Sequence, residues 1–337
     1  MNTKLIPTAL AFAIILLSSC LSQDAKPSSS SEVADSTSNK VVIGYIPTWK
    51  DMRQTIDTAH LDILTHINLS FLNPDASGVF LVDGEPYCSD GKSADIHYVV
   101  KKAHQHGVKV LISVAGGVLP ECSADWQILL QEGNRNSVIN NLKHLVSFYN
   151  LDGIDIDIEG PILDAISKAG DYTPFIKALR EELHPMGKLV TCATASYVGG
   201  RIPQSSFPYF DYINIMAYDN AWNTTDHHST YEHAVRDMQL WLNLGCPPDK
   251  LVLGLPFYAH KGIVGTGGHA TYNQIVEQHS DAAHHDIYFD YRYNGILTIK
   301  AKTKYAFEHG SGVMIWEISQ DAPGGLSLLK AIGKEME

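Results

Sequence analysis

Asp155, Asp157 and Glu159 occupy every second position of the segment LDGIDIDIEG (151–160), with Ile154, Ile156 and Ile158 in their midst. Side chains of a strand alternate between its two faces, so the three carboxyls share one face, about 6 to 7 Å apart, and the isoleucines share the other. Buried together, the acids cannot all ionise; at least one stays protonated or shares a proton. A carboxyl raised in this way at the solvent end of the row can donate a proton near neutral pH, which is what general acid catalysis requires. Two structural roles compete with that one. A calcium loop needs a glycine in its sharp turn and oxygen-bearing neighbours, whereas isoleucines alternate here. A solvated sheet edge would lack the flanking apolar residues.

Such a row needs elements to hold it. Short apolar runs recur at 41–47, 64–71, 108–114, 151–159, 188–195, 210–218, 250–258 and 311–318, and helix-like segments such as SADIHYVVKKAHQHG and YEHAVRDMQLWLNLG lie between them. Strands alternating with helices imply parallel pairing, and eight such units close into an α/β fold, a single (β/α)8 TIM barrel. An open doubly wound sheet is the alternative. In a barrel the isoleucines face the helices and the acids face inward, with Glu159 nearest the mouth. Chemistry collects at the C-terminal strand ends, where Tyr45, Trp49, Phe71, Glu159, Tyr218, Asp219, Tyr258 and Trp316 fall.

The remainder of the chain bounds the function. A net charge of -12 over 337 residues argues against nucleic acid or an anionic surface as partner. Lys4, the apolar run Leu5 to Leu17 and the sequence LSSC read as an export signal resembling a bacterial lipobox. A run of 13 residues is too short to span a bilayer. The expected organisation is a signal peptide at 1–19, lipidated Cys20 with a Ser-rich tether to residue 40, and the barrel at 41–337. That organisation places the domain in the cell envelope, attached to membrane through the lipid alone. In an exported domain Cys88 and Cys122, in two neighbouring loops, are candidates for a disulfide, and Cys192 for a buried thiol. Among the 16 histidines no pair has i, i+4 spacing; exposed loop histidines are commoner than ligands, so no metal site or cofactor is expected.

LDGIDIDIE resembles the DxxDxDxE signature of glycoside hydrolase family 18, the chitinase and endo-β-N-acetylglucosaminidase family, with Asp152, Asp155, Asp157 and Glu159 on its acidic positions. GYIPTW, THINLSFLN, SVAGG, NIMAYD, GLPFY and GVMIWEISQD follow in the family's order, and the resemblance spans roughly residues 41 to 325. It implies that Glu159 protonates the glycosidic oxygen and that Asp157 steadies the substrate's 2-acetamido group, which itself attacks the anomeric carbon with retention. It further implies that Asp155 shares a proton with Asp157 and that Tyr218 binds the acetamido oxygen. Trp316 would floor the pocket, with Tyr45, Phe71, Met216, Asp219 and Tyr258 around the sugar. The bonds Ser70–Phe71 and Trp316–Glu317 would be cis.

The expected substrate is chitin or a related glycan containing N-acetylglucosamine, cleaved at β-1,4 bonds by a monomer. An endo-β-N-acetylglucosaminidase acting on the N-glycan core, and a non-catalytic carbohydrate-binding barrel, are the alternatives. The chain departs from the family pattern at Gly160–Pro161, in the spacing of SVAGG and at His260, where an arginine is common. Only about 40 residues separate Tyr258 from a helix expected near Thr298, part of them a hairpin expected around Asn294–Gly295. That length leaves no room for the inserted α+β domain some members carry, so the cleft should be open.

Overall fold

A computed structural model describes residues 40–337. Cys20, the signal peptide and the tether lie outside the described residues. Eight parallel strands close the barrel: β1 (Val41–Pro47), β2 (His66–Leu72), β3 (Lys109–Gly116), β4 (Gly153–Ile158), β5 (Leu189–Thr194), β6 (Tyr212–Ile215), β7 (Leu251–Pro256) and β8 (Gly312–Trp316). Each pairs with its neighbours in sequence, and β8 returns to β1. All eight expected strands form, and the sheet is closed, not doubly wound.

Alternation divides the core in two. Ile154, Ile156 and Ile158 join the large apolar layer between barrel and helices, while Val41, Ile43, Tyr45, Val252 and Met314 form a small cluster inside the barrel. The acids of β4 therefore stand above an apolar floor. Register fixes their neighbours: Asp155 lies beside Ser113 of β3 and Thr191 of β5, whereas Asp157 lies beside Ala115.

Between β7 and the helix Ile296–His309 there is no separate inserted domain among the described residues. Four short antiparallel strands, Tyr258–Lys261, Gly268–Thr271, Ile287–Tyr288 and Tyr291–Arg292, form a small sheet beside the cleft. The hairpin expected around Asn294–Gly295 instead turns at Phe289–Asp290, because Tyr288 pairs with Tyr291. Phe289 takes the left-handed conformation (φ 49) usually left to Gly or Asn, so the turn carries no sequence signal. Gly295 caps the helix, and the Asn294 amide donates to the Ser229 carbonyl at 2.7 Å. Cys88 and Cys122 form a disulfide, and Cys192 is a buried free thiol, as expected. No helix among the described residues is long and apolar enough to cross a membrane.

Lys302 is fully buried in the helix Ile296–His309. Its Nζ donates to the Ser229 carbonyl (2.9 Å), Ser229 Oγ (2.8 Å) and Asn294 Oδ1 (2.7 Å), tying this helix to the segment that follows β6. Burial lowers its pKa to about 7, against a pull upward from Asp286, Asp237 and Glu232. The unfolded chain then binds more protons than the native state between about pH 7 and the ordinary lysine value, so Lys302 makes stability rise with pH across that window. Denaturant melts of wild type and Lys302→Met should show the difference in unfolding free energy moving in favour of wild type from pH 7 to pH 10, by about 1.4 kcal/mol per unit at most. A difference independent of pH would mean that Lys302 stays charged in the native state.

Candidate active site

The acid row comes to rest with each carboxyl in a different environment. Asp155 is fully buried and surrounded by donors from four strands. Its Oδ2 accepts from the Tyr45 hydroxyl (2.6 Å) and Ser113 Oγ (2.7 Å), and its Oδ1 from Thr191 Oγ1 (2.5 Å) and Asn214 Nδ2 (3.5 Å). Burial pushes its pKa up and these hydrogen bonds pull it back. Asp157, beside Ala115, has no such donors, and its Oδ1 is unpartnered. Burial, then the charges of Glu159 and Asp155, raise Asp157 well above the carboxylate range. Burial raises Glu159 to about 7, the bond to Asp157 pulling it down and the charge of Asp219 pushing it up.

Room for Glu159 is made by SVAGG. A side chain at Gly117 would stand 2.7 Å from Glu159 Oε1, and one at Gly116, whose φ is +100, would meet the Phe71 ring at 2.8 Å. Directly after Glu159, Gly160 (φ 55) and Pro161 begin the helix Gly160–Ala169, so the Glu159 residue stands at that helix's N-terminus.

Aromatic rings form the floor. Trp316 lies 5.9 Å from Phe71, nearly parallel, 5.5 Å from Tyr45 and 6.5 Å from Trp49, measured between centroids. Both expected cis bonds, Ser70–Phe71 and Trp316–Glu317, are present. Tyr45 is only 1% exposed and its hydroxyl is held by Asp155, so it acts on the cleft through that carboxylate. The Tyr218 hydroxyl has only a long contact of 4.0 Å to Met314 Sδ.

Two cavities meet at Asp219. One, about 530 Å3, is lined by Glu159, Tyr197, Met216, Tyr218 and Trp222 as well as Asp219. The other, about 470 Å3, is lined by Asp219, Tyr258, His269 and Trp316 among others. Phe71 stacks on Trp316 at their edge. Of the expected site residues, Glu159, Met216, Tyr218, Asp219, Tyr258 and Trp316 line these cavities, while Tyr45, Asp155 and Asp157 are buried. Sequence reasoning missed Tyr197 and Trp222, which stand 59% and 58% exposed on the loops after β5 and β6; an aromatic shortly after a strand end was the available signal. It also missed the site role of His228, and of His260, which it singled out only as a departure where an arginine is common. These are fully buried, not exposed loop residues, and bind Asp219.

Ligand-capable atoms of Asp219, His228 and His260 lie within 4.8 Å of one another. A metal-bound imidazole normally donates its other N–H to an acceptor, and His228 Nε2 and His260 Nδ1 have none. The cluster suits hydrogen bonding better than metal.

A barrel that sets a proton donor with a near-neutral pKa above rings able to stack on apolar sugar faces is equipped as a glycosidase. More narrowly, the chain belongs to the glycosyl hydrolases family 18, whose model matches residues 41–321. It is similar to ChiB, a family 18 chitinase from the chitin utilization locus of Flavobacterium johnsoniae, at 32% identity and a TM-score of 0.78, covering 88% of this chain and 94% of that one. A chitinase from Bacteroides thetaiotaomicron is 30% identical, with a TM-score of 0.74 over 88% of this chain and 96% of that one. Probable chitinase 2 of Drosophila melanogaster is 28% identical over 250 residues, 65% of this chain and 50% of that protein. Chitinase A1 of Niallia circulans is 27% identical over 322 residues, 72% of this chain and 45% of that protein. The chain spans about half the length of these two curated relatives.

Glu159 should titrate near pH 7. Infrared difference spectra between wild type and Glu159→Gln should show a carboxyl band lost with a midpoint of about 7. Asp219→Asn removes a negative charge that raises Glu159, so that midpoint should fall. A midpoint in the ordinary carboxylate range, unmoved by the second substitution, would contradict the geometry.

Proposed function

We propose that this chain hydrolyses β-1,4 bonds beside N-acetylglucosamine in chitin or chitooligosaccharides by retaining, substrate-assisted catalysis. The observation that carries the reading is the pairing of Glu159, raised to about 7 at the cleft, with a buried Asp157 below it and the uncommitted Tyr218 hydroxyl beside the same cavity. Protonated Glu159 gives its proton to the glycosidic oxygen as the bond to the anomeric carbon breaks. The substrate's acetamido oxygen supplies the electron pair that replaces it, and the second carboxylate nucleophile of other retaining glycosidases is not needed. Asp157 accepts from the acetamido N–H and holds the group in line; Tyr218 donates to its oxygen. Glu159, now a carboxylate, takes a proton from the water that opens the cyclic intermediate. Two inversions give net retention.

Asp155, held by its four donors, keeps a fixed negative charge below Asp157 and favours the positive charge that develops on the ring. The stacked Trp316 and Phe71 support binding of a flat sugar face. Exposed Trp49, Tyr197 and Trp222 flank the cavities without an inserted domain above them, and this supports an open cleft that takes a chain in its middle. The same reading keeps the domain monomeric and holds it at the cell envelope by lipidated Cys20, which the LSSC sequence supports.

Glu159→Gln should lower turnover on chitooligosaccharides by about 10² to 10⁴ while calorimetry still detects sugar binding. Turnover near wild type in the folded variant would remove Glu159 from the mechanism; intact binding with no hydrolysis by wild type would favour a carbohydrate-binding protein. Early in a digest of a long chitooligosaccharide, mass analysis should find scattered internal cuts. Disaccharide alone from one end would contradict the open cleft, and release of one intact glycan from a high-mannose glycopeptide would shift the substrate to the N-glycan core.

A further inference from the structure

The carboxylate of Asp219 is used unevenly. Three donors converge on Oδ1: the Tyr258 hydroxyl at 2.8 Å, His260 Nε2 at 2.7 Å and His228 Nδ1 at 3.2 Å. No hydrogen bond among the described residues uses Oδ2, and Asp219 lines both cavities of the cleft. The backbone of Asp219 is held in the left-handed region (φ 57), and the rings of His228 and His260 lie edge to face at 4.7 Å, 0% and 2% exposed. The segment that carries His228 is anchored next door, where Ser229 Oγ donates to the Ala217 carbonyl and Lys302 binds Ser229.

The far nitrogens of the two rings decide their protonation. His228 Nε2 and His260 Nδ1 have no partner in the buried surroundings. A second proton on either ring would leave a charged, buried N–H without an acceptor, which costs more than a bare lone pair. Each imidazole is therefore neutral and carries its one proton on the nitrogen that faces Asp219. For His228 burial lowers the pKa to about 4, Asp219 pulling the other way. The other titratable neighbours are Tyr218, Tyr258, His227 stacked on His228, and His269 with its ring 4.4 Å from His260; Glu159 lies across the cavity. Burial pushes the Asp219 carboxyl up, but the bonds from His228 and His260, the attraction of the His228 ring and the bond from Tyr258 together hold the group well below the carboxylate range.

We propose that His228 and His260 are positioning residues: they saturate Oδ1 of Asp219 with neutral N–H donors, fix the plane of the carboxylate, and leave Oδ2 as an anionic acceptor for a hydroxyl of the sugar held where the two cavities meet. An arginine at position 260 would bring a permanent positive charge to the same oxygen. Neutral histidines orient the carboxylate and leave its full negative charge in the cleft, where it both accepts from the substrate and raises Glu159. The proposal deepens the hydrolase reading above and rests on it.

Donor geometry supplies the test. An asparagine amide can take the place of His228 Nδ1 and a glutamine amide that of His260 Nε2, whereas leucine keeps bulk and removes the donor. In a Glu159→Gln background, calorimetry with chitooligosaccharides should show His228→Leu and His260→Leu weakening affinity about 10- to 100-fold, the range for a lost hydrogen bond to a charged group. His228→Asn and His260→Gln should stay within about threefold. With Glu159 intact, the leucine variants should show the same change mainly in KM. Infrared titration of the Asp219 carboxyl, which needs no substrate, should find its protonation midpoint raised in the leucine variants and little changed in the amide variants. Equal losses in amide and leucine variants, or unaltered affinity in folded leucine variants, would overturn the positioning role. Failure of the Glu159→Gln and wild-type proteins to bind any chitooligosaccharide would overturn the hydrolase reading itself, and the sugar acceptor with it.

Discussion

Three carboxyls inside a barrel have to find partners, and the structure follows from how each does so. An isolated ionised carboxylate in a low-dielectric interior is too costly to persist. Asp155 meets the constraint with hydrogen bonds from β1, β3, β5 and β6, so one buried charge ties half of the barrel together. Asp157 and Glu159 meet it with raised pKa values, burial being the chief cause in both. The strand thus runs from a fully hydrogen-bonded carboxyl below to a carboxyl raised to about 7 above, which suits acid catalysis at its open end.

Around that axis the chain arranges small residues and large rings for opposite purposes. Ala115, Gly116 and Gly117 withdraw side-chain volume on one side, so that Phe71 and the Glu159 carboxyl can occupy it. On the other, Trp316 stacks on Phe71 and tilts against Tyr45, joining the inner apolar cluster to the cleft. The floor that would stack on sugar is therefore continuous with the packing that supports the acids.

Asp219 joins two halves of the site that the backbone keeps apart. It follows β6, yet its partners come from the loop bearing His228 and from the strand Tyr258–Lys261 after β7. The short sheet after β7 thus does more than close a gap in length. It delivers Tyr258 and His260 to the same carboxylate oxygen, and through the charge of Asp219 it bears on Glu159. Lys302 and Asn294 secure this arrangement from behind by holding Ser229.

The sequence by itself determined the barrel, the inward face of β4 and the ring of residues at its mouth, because strand alternation and the order of apolar runs are local properties. The family signature carried the cis bonds, and the neighbouring loops carried the Cys88–Cys122 disulfide. Other features were settled only by tertiary structure. Which acid receives donors depends on inter-strand register, since Asp155 meets Ser113 and Thr191 where Asp157 meets Ala115. The hairpin turn moved to Phe289–Asp290 because pairing of Tyr288 with Tyr291, not local turn chemistry, set it. His228 read alone as one of many loop histidines, and His260 only as a departure where an arginine is common. Their burial against one oxygen of Asp219 arises where separate loops close over the barrel, a convergence of residues far apart in the chain that no local pattern encodes.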